Sequence, residues 1–344
     1  MSQAFLSRGL SVAAIAAAAL LASCSTPTPE APPPPPSVTP PPPVALNESV
    51  AQAASVYVAF VREVGSIQAG FPDAESIQAA IRKGAAYEPG QLSRGMIAYG
   101  SILALQSPEY VAGVRQFATD PAQRQQMIAR IVLDPAYAAT LPGADAAAGL
   151  IVSTMGKDIA SLTAIAEAVE GDAYTIQERR DPRRRWAVTP IANRDARLQG
   201  AKTLSVTQLP SAEESARLFA AANSGSGLGL TPAQHGAPFT PAVVNSLAIA
   251  ALAALGAAGD DARTNTDALT TESNNEFCLN MSKLMLFQCL AASRPSYEDI
   301  FCTGRHIVRD LAACTAQYTG PAQSPATPAV TVTASNSTPG GANN

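Results

Sequence analysis

Aromatic, charged and histidine residues are all scarce in this chain of 344 residues. Aromatic residues make up 5% of it and charged residues 15%, with one tryptophan and two histidines. Hydrophobic residues still reach 47%, and alanine contributes much of that share. A core of alanine and aliphatic side chains is typical of helices that approach one another closely, and it argues against a sandwich of aromatic-rich strands. The composition therefore predicts an all-α fold.

Short motifs that mark common active sites are also missing. There is no HExxH, GxSxG or SxxK pattern, and the glycine-rich stretch at 225–229 lacks the lysine of a phosphate-binding loop. One histidine, His235, lies in a Gly/Pro-rich stretch, and the other, His306, lies in a charged helical segment. We predict a protein that is not an enzyme and holds no metal ion or cofactor. An enzyme of unrecognised type is the less favoured alternative.

The net charge of −4 offers no general attraction to nucleic acid, so we expect no nucleic-acid partner. One basic stretch stands out, ERRDPRRRW at residues 178–186, called the arginine segment below. It suits lipid phosphates, lipopolysaccharide or an acidic protein partner, although its own acidic residues also favour salt bridges between helices. The candidate interaction patch consists of Arg179, Arg180, Arg183, Arg184, Arg185 and Trp186.

The amino-terminal residues have the layout of a secretory signal peptide. One positive charge at Arg8 precedes an uncharged apolar run from Gly9 to Ala22, which is short for a membrane span. The next residues complete the sequence Leu21-Ala22-Ser23-Cys24, which resembles the lipobox of bacterial lipoproteins. The alternative is an ordinary signal-peptidase cut nearby, with Cys24 incidental.

The lipobox resemblance implies an anchor and a location. It implies a signal peptide at 1–23, removed before Cys24, and covalent acyl lipid, including palmitate, on Cys24. In enterobacterial lipoproteins an aspartate after the cysteine tends to retain the protein at the inner membrane. Because Ser25 stands there, the resemblance implies the outer membrane, with the domain in the periplasm. The lipid bilayer is then one partner, since more than one acyl chain gives stable anchoring.

A proline-rich stretch follows the predicted anchor. Proline fixes φ near the polyproline value and removes backbone donors, so residues 24–45 are predicted to form an extended linker. At about 3.1 Å per residue, some twenty residues hold a domain roughly 60 Å from the anchor.

The rest of the chain is predicted to be a multi-helix array. We expect a main helical domain at 46–222, a Gly/Pro linker at 223–240, a C-terminal helical region at 241–319 and a disordered tail at 320–344. Within the main domain, capping residues before Pro108, Pro121 and Pro135 predict three short helices.

Three further elements are predicted by their patterns. Residues 144–170 have the strongest helical pattern, and a second helix, broken or kinked at prolines, is expected from Tyr174 toward Lys202. Residues 203–209 alternate and predict a short strand, and the apolar segment 241–259 predicts a buried core helix rather than a membrane span.

Four cysteines remain besides Cys24. In an oxidising compartment they imply two disulfides, with three connectivities open. Two helices folded antiparallel about Pro295 would pair Cys289 with Cys302 and Cys278 with Cys314, forming a disulfide-bridged helical hairpin.

Helix geometry raises an objection to this pairing. The first helix separates its cysteines by 11 residues, about 20° apart, and the second by 12, about 120° apart. Either the second helix is irregular near Gly304 or the pairing differs. A metal site is the rival interpretation, although metal-binding cysteines are usually two to four residues apart.

Together, these features favour a lipid-anchored, periplasm-facing envelope protein that acts as a non-catalytic scaffold or interaction module. Its partner would be an envelope protein or an anionic envelope component. The alternative is a binder or carrier of an apolar ligand between alanine-lined helices.

Replacement of Cys24 tests the anchor. Because the thiol is the predicted acylation site, Cys24→Ala should move the protein from the membrane fraction to the soluble periplasmic fraction. The measurement is immunoblotting of separated envelope fractions. A variant that still fractionates with the outer membrane would refute the lipid anchor.

Overall fold

The computed structural model describes residues 40–320, which contain fourteen α-helices and no β-strand. The predicted signal peptide, Cys24, most of the proline-rich linker and the predicted disordered tail after Gly320 lie outside the described residues. The helices are α1 (Glu48–Gly65), α2 (Ala74–Ala85), α3 (Pro89–Leu105), α4 (Pro108–Arg115), α5 (Pro121–Leu133), α6 (Ala144–Thr175), α7 (Arg184–Ala187), α8 (Arg194–Thr203), α9 (Ala212–Ser224), α10 (Pro241–Ala254), α11 (Thr264–Asp267), α12 (Ser273–Ala292), α13 (Ser296–Thr303) and α14 (Asp310–Thr319).

Side-chain caps define most of the helix starts. Ser107 and Asp120 accept hydrogen bonds from the first turns of α4 and α5, and proline occupies the first position of each helix. The third predicted short helix is a 3₁₀-helix, Pro135–Thr140, capped by Asp134. The all-α prediction is confirmed, although this element is a 3₁₀-helix rather than the expected α-helix.

The centre of the fold is the pair α3 and α10, which pack against each other. From Ser246 to Ala254 every residue of α10 is buried, so this part of the helix is enclosed by its neighbours on all sides. The predicted core helix is thus present. Among residues 40–320, no helix combines the length and apolarity that a membrane crossing requires.

Two glycines on α3 allow this close packing. A Cβ at Gly95 would come within 2.7 Å of the Ala53 backbone oxygen on α1, and one at Gly100 would overlap Ser246 and Tyr318. The Ser246 hydroxyl donates to the Ile97 carbonyl at 2.9 Å and lies 2.7 Å from the Tyr318 hydroxyl. Glycine at these positions therefore brings α1, α10 and α14 against α3.

The region from Tyr174 to residue 209 differs from the prediction. The helix α6 continues to Thr175, and the expected second helix is divided into α7 and α8 with non-helical residues around Pro182 and Pro190. Proline has no amide hydrogen for the helix ladder, which explains both breaks.

The predicted strand at 203–209 is wrong. Its backbone has no partner strand among the described residues; instead Gln91 pairs with it. The Gln208 amide donates to the Gln91 side-chain oxygen at 2.7 Å, and the Gln91 side-chain nitrogen donates to the Gln208 carbonyl at 2.7 Å. One side-chain amide thus satisfies both backbone groups of Gln208, in place of a neighbouring strand.

The Gly/Pro stretch at 225–240 lies against the start of α6. The His235 amide donates to the Asp145 carbonyl at 2.9 Å, and a Cβ at Gly149 would overlap the Ala233 backbone. Leu228, Leu230 and Phe239 pack against the same hydrophobic core that both flanking helical regions share.

Alanine at Gly95 tests the packing. The new methyl group meets backbone as well as Tyr57, so Gly95→Ala should lower the free energy of unfolding by about 1–3 kcal/mol. Gly171 on α6 has open space around it, and Gly171→Ala should instead raise stability by about 0.5–1 kcal/mol. Urea unfolding measures both, and equal stability of the two variants would contradict close packing at Gly95.

Candidate functional site

The C-terminal helices form the predicted disulfide-bridged hairpin. Cys278 on α12 is bonded to Cys314 on α14, and Cys289 on α12 is bonded to Cys302 on α13. Both pairings agree with the sequence prediction. The two bonds join α12 to the returning chain near both of its ends, and cross-links of this kind stabilise a fold by about 2–4 kcal/mol each.

A π-helix resolves the geometric objection to this pairing. Residues Gly304–Arg309 form it between α13 and α14. Because a π turn takes in more residues than an α turn, the 12-residue step from Cys302 to Cys314 rotates less than it would on an ideal α-helix. Both cysteines therefore face α12. Gly304, the expected point of irregularity, begins the π-helix and packs against Glu170.

Two arginines of α8 hold the turn of the hairpin. Arg194 donates to the carbonyls of Ala291 at 2.6 Å and Ser293 at 2.7 Å, and Arg197 donates to the carbonyl of Leu290. These carbonyls end α12 and have no partner within the helix. The arginines supply the hydrogen bonds and oppose the negative end of the helix dipole.

Arg197 also forms the most buried ion pair described here. Its Nη1 lies 2.5–2.6 Å from both Asp299 oxygens, and the two side chains are 6% and 0% exposed. Asp299 accepts further hydrogen bonds from Gln78 at 3.0 Å and Ser293 at 2.6 Å. The pair therefore joins α2, α8 and α13 at one point.

The arginine segment divides into a structural residue and an exposed group. Arg183 bonds both oxygens of Asp181 and lies 2.7 Å from Asp172 at the end of α6, and its hydrogen bond lowers the pKa of Asp181. The remaining arginines are exposed and form no ion pair with described residues: Arg179, Arg180, Arg184 and Arg185. Binding of an anion by this patch stays a prediction.

Trp186, the last residue of the candidate patch, borders a cavity of about 400 Å³. Its indole is half-buried, and the cavity lies where α2, the 189–193 loop and the start of α13 meet. Backbone hydrogen bonds from Ile191 to Arg294 and from Ser296 to Thr189 attach this loop to the hairpin turn. The loop beside Trp186 is thus attached to the turn of the hairpin.

The arginine segment lies at the far end of α1 from the point where the chain enters the domain. At entry, the Ala45 amide donates to Ala253 at the end of α10. The 18 residues of α1 then span about 27 Å. Just after α1, the Gly70 amide donates to Asp172, which is the residue paired with Arg183.

The outer face of α12 is apolar and exposed. It consists of Phe277, Met281, Leu284 and Met285, which are 65%, 39%, 46% and 39% exposed. Their spacing of four, three and one residues places them on one side of the helix. The charged residues of α12 are Glu276, which is half-buried, and Lys283, which is buried, so this face carries no exposed charge.

The opposite side of α12 is fixed by polar contacts. Lys283 donates to the Tyr87 carbonyl and lies over the Tyr87 ring, 4.0 Å from its centre. Burial lowers the pKa of Lys283 to about 8. Asn275 donates to Ser93 on α3 at 3.2 Å. The outer face is therefore held toward solvent by the way the inner face packs.

The histidines lie apart from the cavities described here. His306 is on the π-helix, with Nδ1 3.1 Å from Asp310, one turn away. His235 lies in the 225–240 stretch beside Phe239. Within residues 40–320 no group of three or more His, Cys, Asp or Glu is arranged to hold a metal ion.

Removal of the Arg197 charge tests whether its ion pair with Asp299 stabilises the contact among α2, α8 and α13. Arg197→Met leaves Asp299 buried without its cation, so the free energy of unfolding should fall by about 3–5 kcal/mol. Lys202→Met, at the exposed end of the same helix, should change it by less than about 0.5 kcal/mol. Urea unfolding at pH 7 with the disulfides intact measures both, and equal stability would show that the ion pair does not hold the hairpin.

The candidate functional features are the hairpin, the exposed arginines, the Trp186 cavity and the outer face of α12. Sequence reasoning found the cysteines and the arginine segment, but it missed the α12 face and the Arg197–Asp299 pair. Comparison with protein families, curated proteins and solved structures gave no match to this chain.

Proposed function

We propose that this chain is a lipid-anchored interaction module of the bacterial envelope, attached to the outer membrane through acylated Cys24 and facing the periplasm. In this proposal it binds a partner protein and catalyses no reaction. The observation that carries the proposal is the outer face of α12, where four large apolar side chains are exposed in one row. Rows of this kind mark binding surfaces.

The chemistry of this face favours a protein partner over a lipid surface. Helices that lie on membranes carry lysine and arginine along their polar side, next to the apolar one. The α12 helix has a single basic residue, Lys283, and it is buried against Tyr87. Two methionines on the face add adaptable contacts of the kind found in protein grooves.

The disulfides support the same role. Because α12 is bonded to α13 and α14 near both of its ends, its outer face is ordered before any partner arrives. A rigid surface loses less conformational entropy on binding. The exposed arginines near Trp186 supply a second contact in this proposal, for an acidic part of the same partner or another anionic envelope component.

A carrier of an apolar ligand is the second candidate. The cavity beside Trp186 favours it, since about 400 Å³ lies within the range of small-molecule sites.

Photo-crosslinking in the native envelope tests the partner. A benzophenone amino acid in place of Phe277, in the full-length lipidated protein, should yield a crosslink to a second protein, identified by mass spectrometry. The same group in place of exposed Glu167 on α6 is the control and should not yield it. Leu284→Glu should abolish the Phe277 crosslink without changing the melting temperature, because the side chain is exposed.

Three results would overturn the proposal. They are crosslinks to lipid or to a second copy of this chain alone, the same products from both positions, and a crosslink that survives Leu284→Glu.

A further inference from the structure

A second cavity, of about 420 Å³, lies between α1, α3, α6 and α9, away from the outer face of α12. Its deepest lining residues are Tyr57 and Leu162, which are almost completely buried. Its rim includes Arg62, whose side chain is 67% exposed, and Ser161. The cavity is therefore open to solvent at one side and closed by packed side chains at the other.

One wall carries a carboxylate that the described residues leave without a partner. Asp158 on α6 lines the cavity and forms no ion pair or hydrogen bond with any of them. Burial raises the pKa of Asp158, because the charged form has lost part of its hydration. A cation placed in the cavity would restore the lost interaction.

Another wall carries excess positive charge. Arg217 bonds Glu214 at 2.5 Å, and Arg62 lies 3.6 Å from the same carboxylate. Two guanidinium groups share one carboxylate, which leaves a net charge of +1. Guanidinium groups hold five N–H donors each, so this pair retains donors for a second anion.

Tyr99 lines the same cavity as both charged groups. Burial raises the pKa of Tyr99 to about 12, the Asp158 charge adds to the rise, and the Arg217 charge opposes it. The phenol is thus within electrostatic range of both. Its ring lines the cavity together with that of the buried Tyr57.

We propose that this cavity binds a small zwitterion, an α-amino acid with an aliphatic side chain. The ligand ammonium group lies against Asp158, and its carboxylate lies against Arg217 and Arg62. The aliphatic side chain packs on Val58, Val61 and Leu162, which also line the cavity. A ligand with only one of the two charges leaves either Asp158 or the arginine pair without a counter-charge.

Isothermal titration of the full-length protein in detergent tests this proposal directly. The probes are L-leucine, L-valine and L-methionine, and leucine has two matched analogues. These are 3-methylbutylamine, which lacks the carboxylate, and 4-methylpentanoate, which lacks the amine. We expect binding of at least one amino acid, and each leucine analogue should bind about tenfold or more weakly than leucine.

Two variants test which residue contacts the ammonium group of the ligand and which contacts its carboxylate. Asp158→Asn keeps the shape of the side chain and should weaken amino-acid binding by about tenfold, while 4-methylpentanoate binds as before. Arg217→Met should weaken amino-acid binding and leave 3-methylbutylamine unaffected. Glu167→Gln, an exposed carboxylate on the same helix as Asp158, is the matched control and should change nothing.

The proposal fails if none of the three amino acids binds at millimolar concentration. It also fails if Asp158→Asn binds them as tightly as the unaltered protein does, or if the one-charge analogues bind as tightly as leucine. Because the probes are compared on the unaltered chain, the first and third outcomes do not depend on the folding of a variant. The crosslink at Phe277 is independent of all three.

Discussion

The close approach of α3 to its neighbours is the constraint on which the structure depends. The chain has few aromatic side chains to fill space between helices, so its core is dense only where small residues let backbones come near one another. At Gly95 the backbone of α1 packs directly against α3, and at Gly100 both Ser246 of α10 and Tyr318 of α14 do so. The N-terminal helix, the core helix and the end of the hairpin thus meet on a single element.

This arrangement explains why one apolar helix is enclosed and another is not. The apolar helix α10 has neighbours on every side. The helix α12 carries apolar side chains on both its inner and its outer face, but only the inner face is buried by other helices. Lys283 and Asn275 fix which side faces the core, and the cysteine pairs fix the path of the returning chain. The exposed face is then a consequence of specific inward contacts rather than of loose packing.

Local signals made much of the fold predictable from sequence. Capping residues, prolines at first helical positions and the spacing of the cysteines act over a few residues, and they located the capped helices α4 and α5 and the hairpin. Alternation at 203–209 was misleading, because it cannot distinguish a partner strand from the side chain of Gln91. The irregularity near Gly304 was foreseen from the 12-residue cysteine spacing, although its π-helical form was not.

The site was less predictable because it depends on distant residues. Arg197 and Asp299 are 102 positions apart, and no local pattern relates them. The cavity near Asp158 draws on four helices. Composition identified the arginine segment, but only the fold separates Arg183, which bridges Asp172 and Asp181, from the four arginines that face solvent.

The way the chain enters the domain also determines how it bears mechanical load. Arg115 donates to the Pro42 carbonyl at 2.8 Å, and the backbone of Ala45 and Asn47 bonds to Ala253 and Ala258. A pull on the N-terminal segment is therefore transmitted to the core helix α10 and the loop after it, and not to the first turn of α1 alone. Several hydrogen bonds must break together before α1 can unravel, so tension is shared across the centre of the fold.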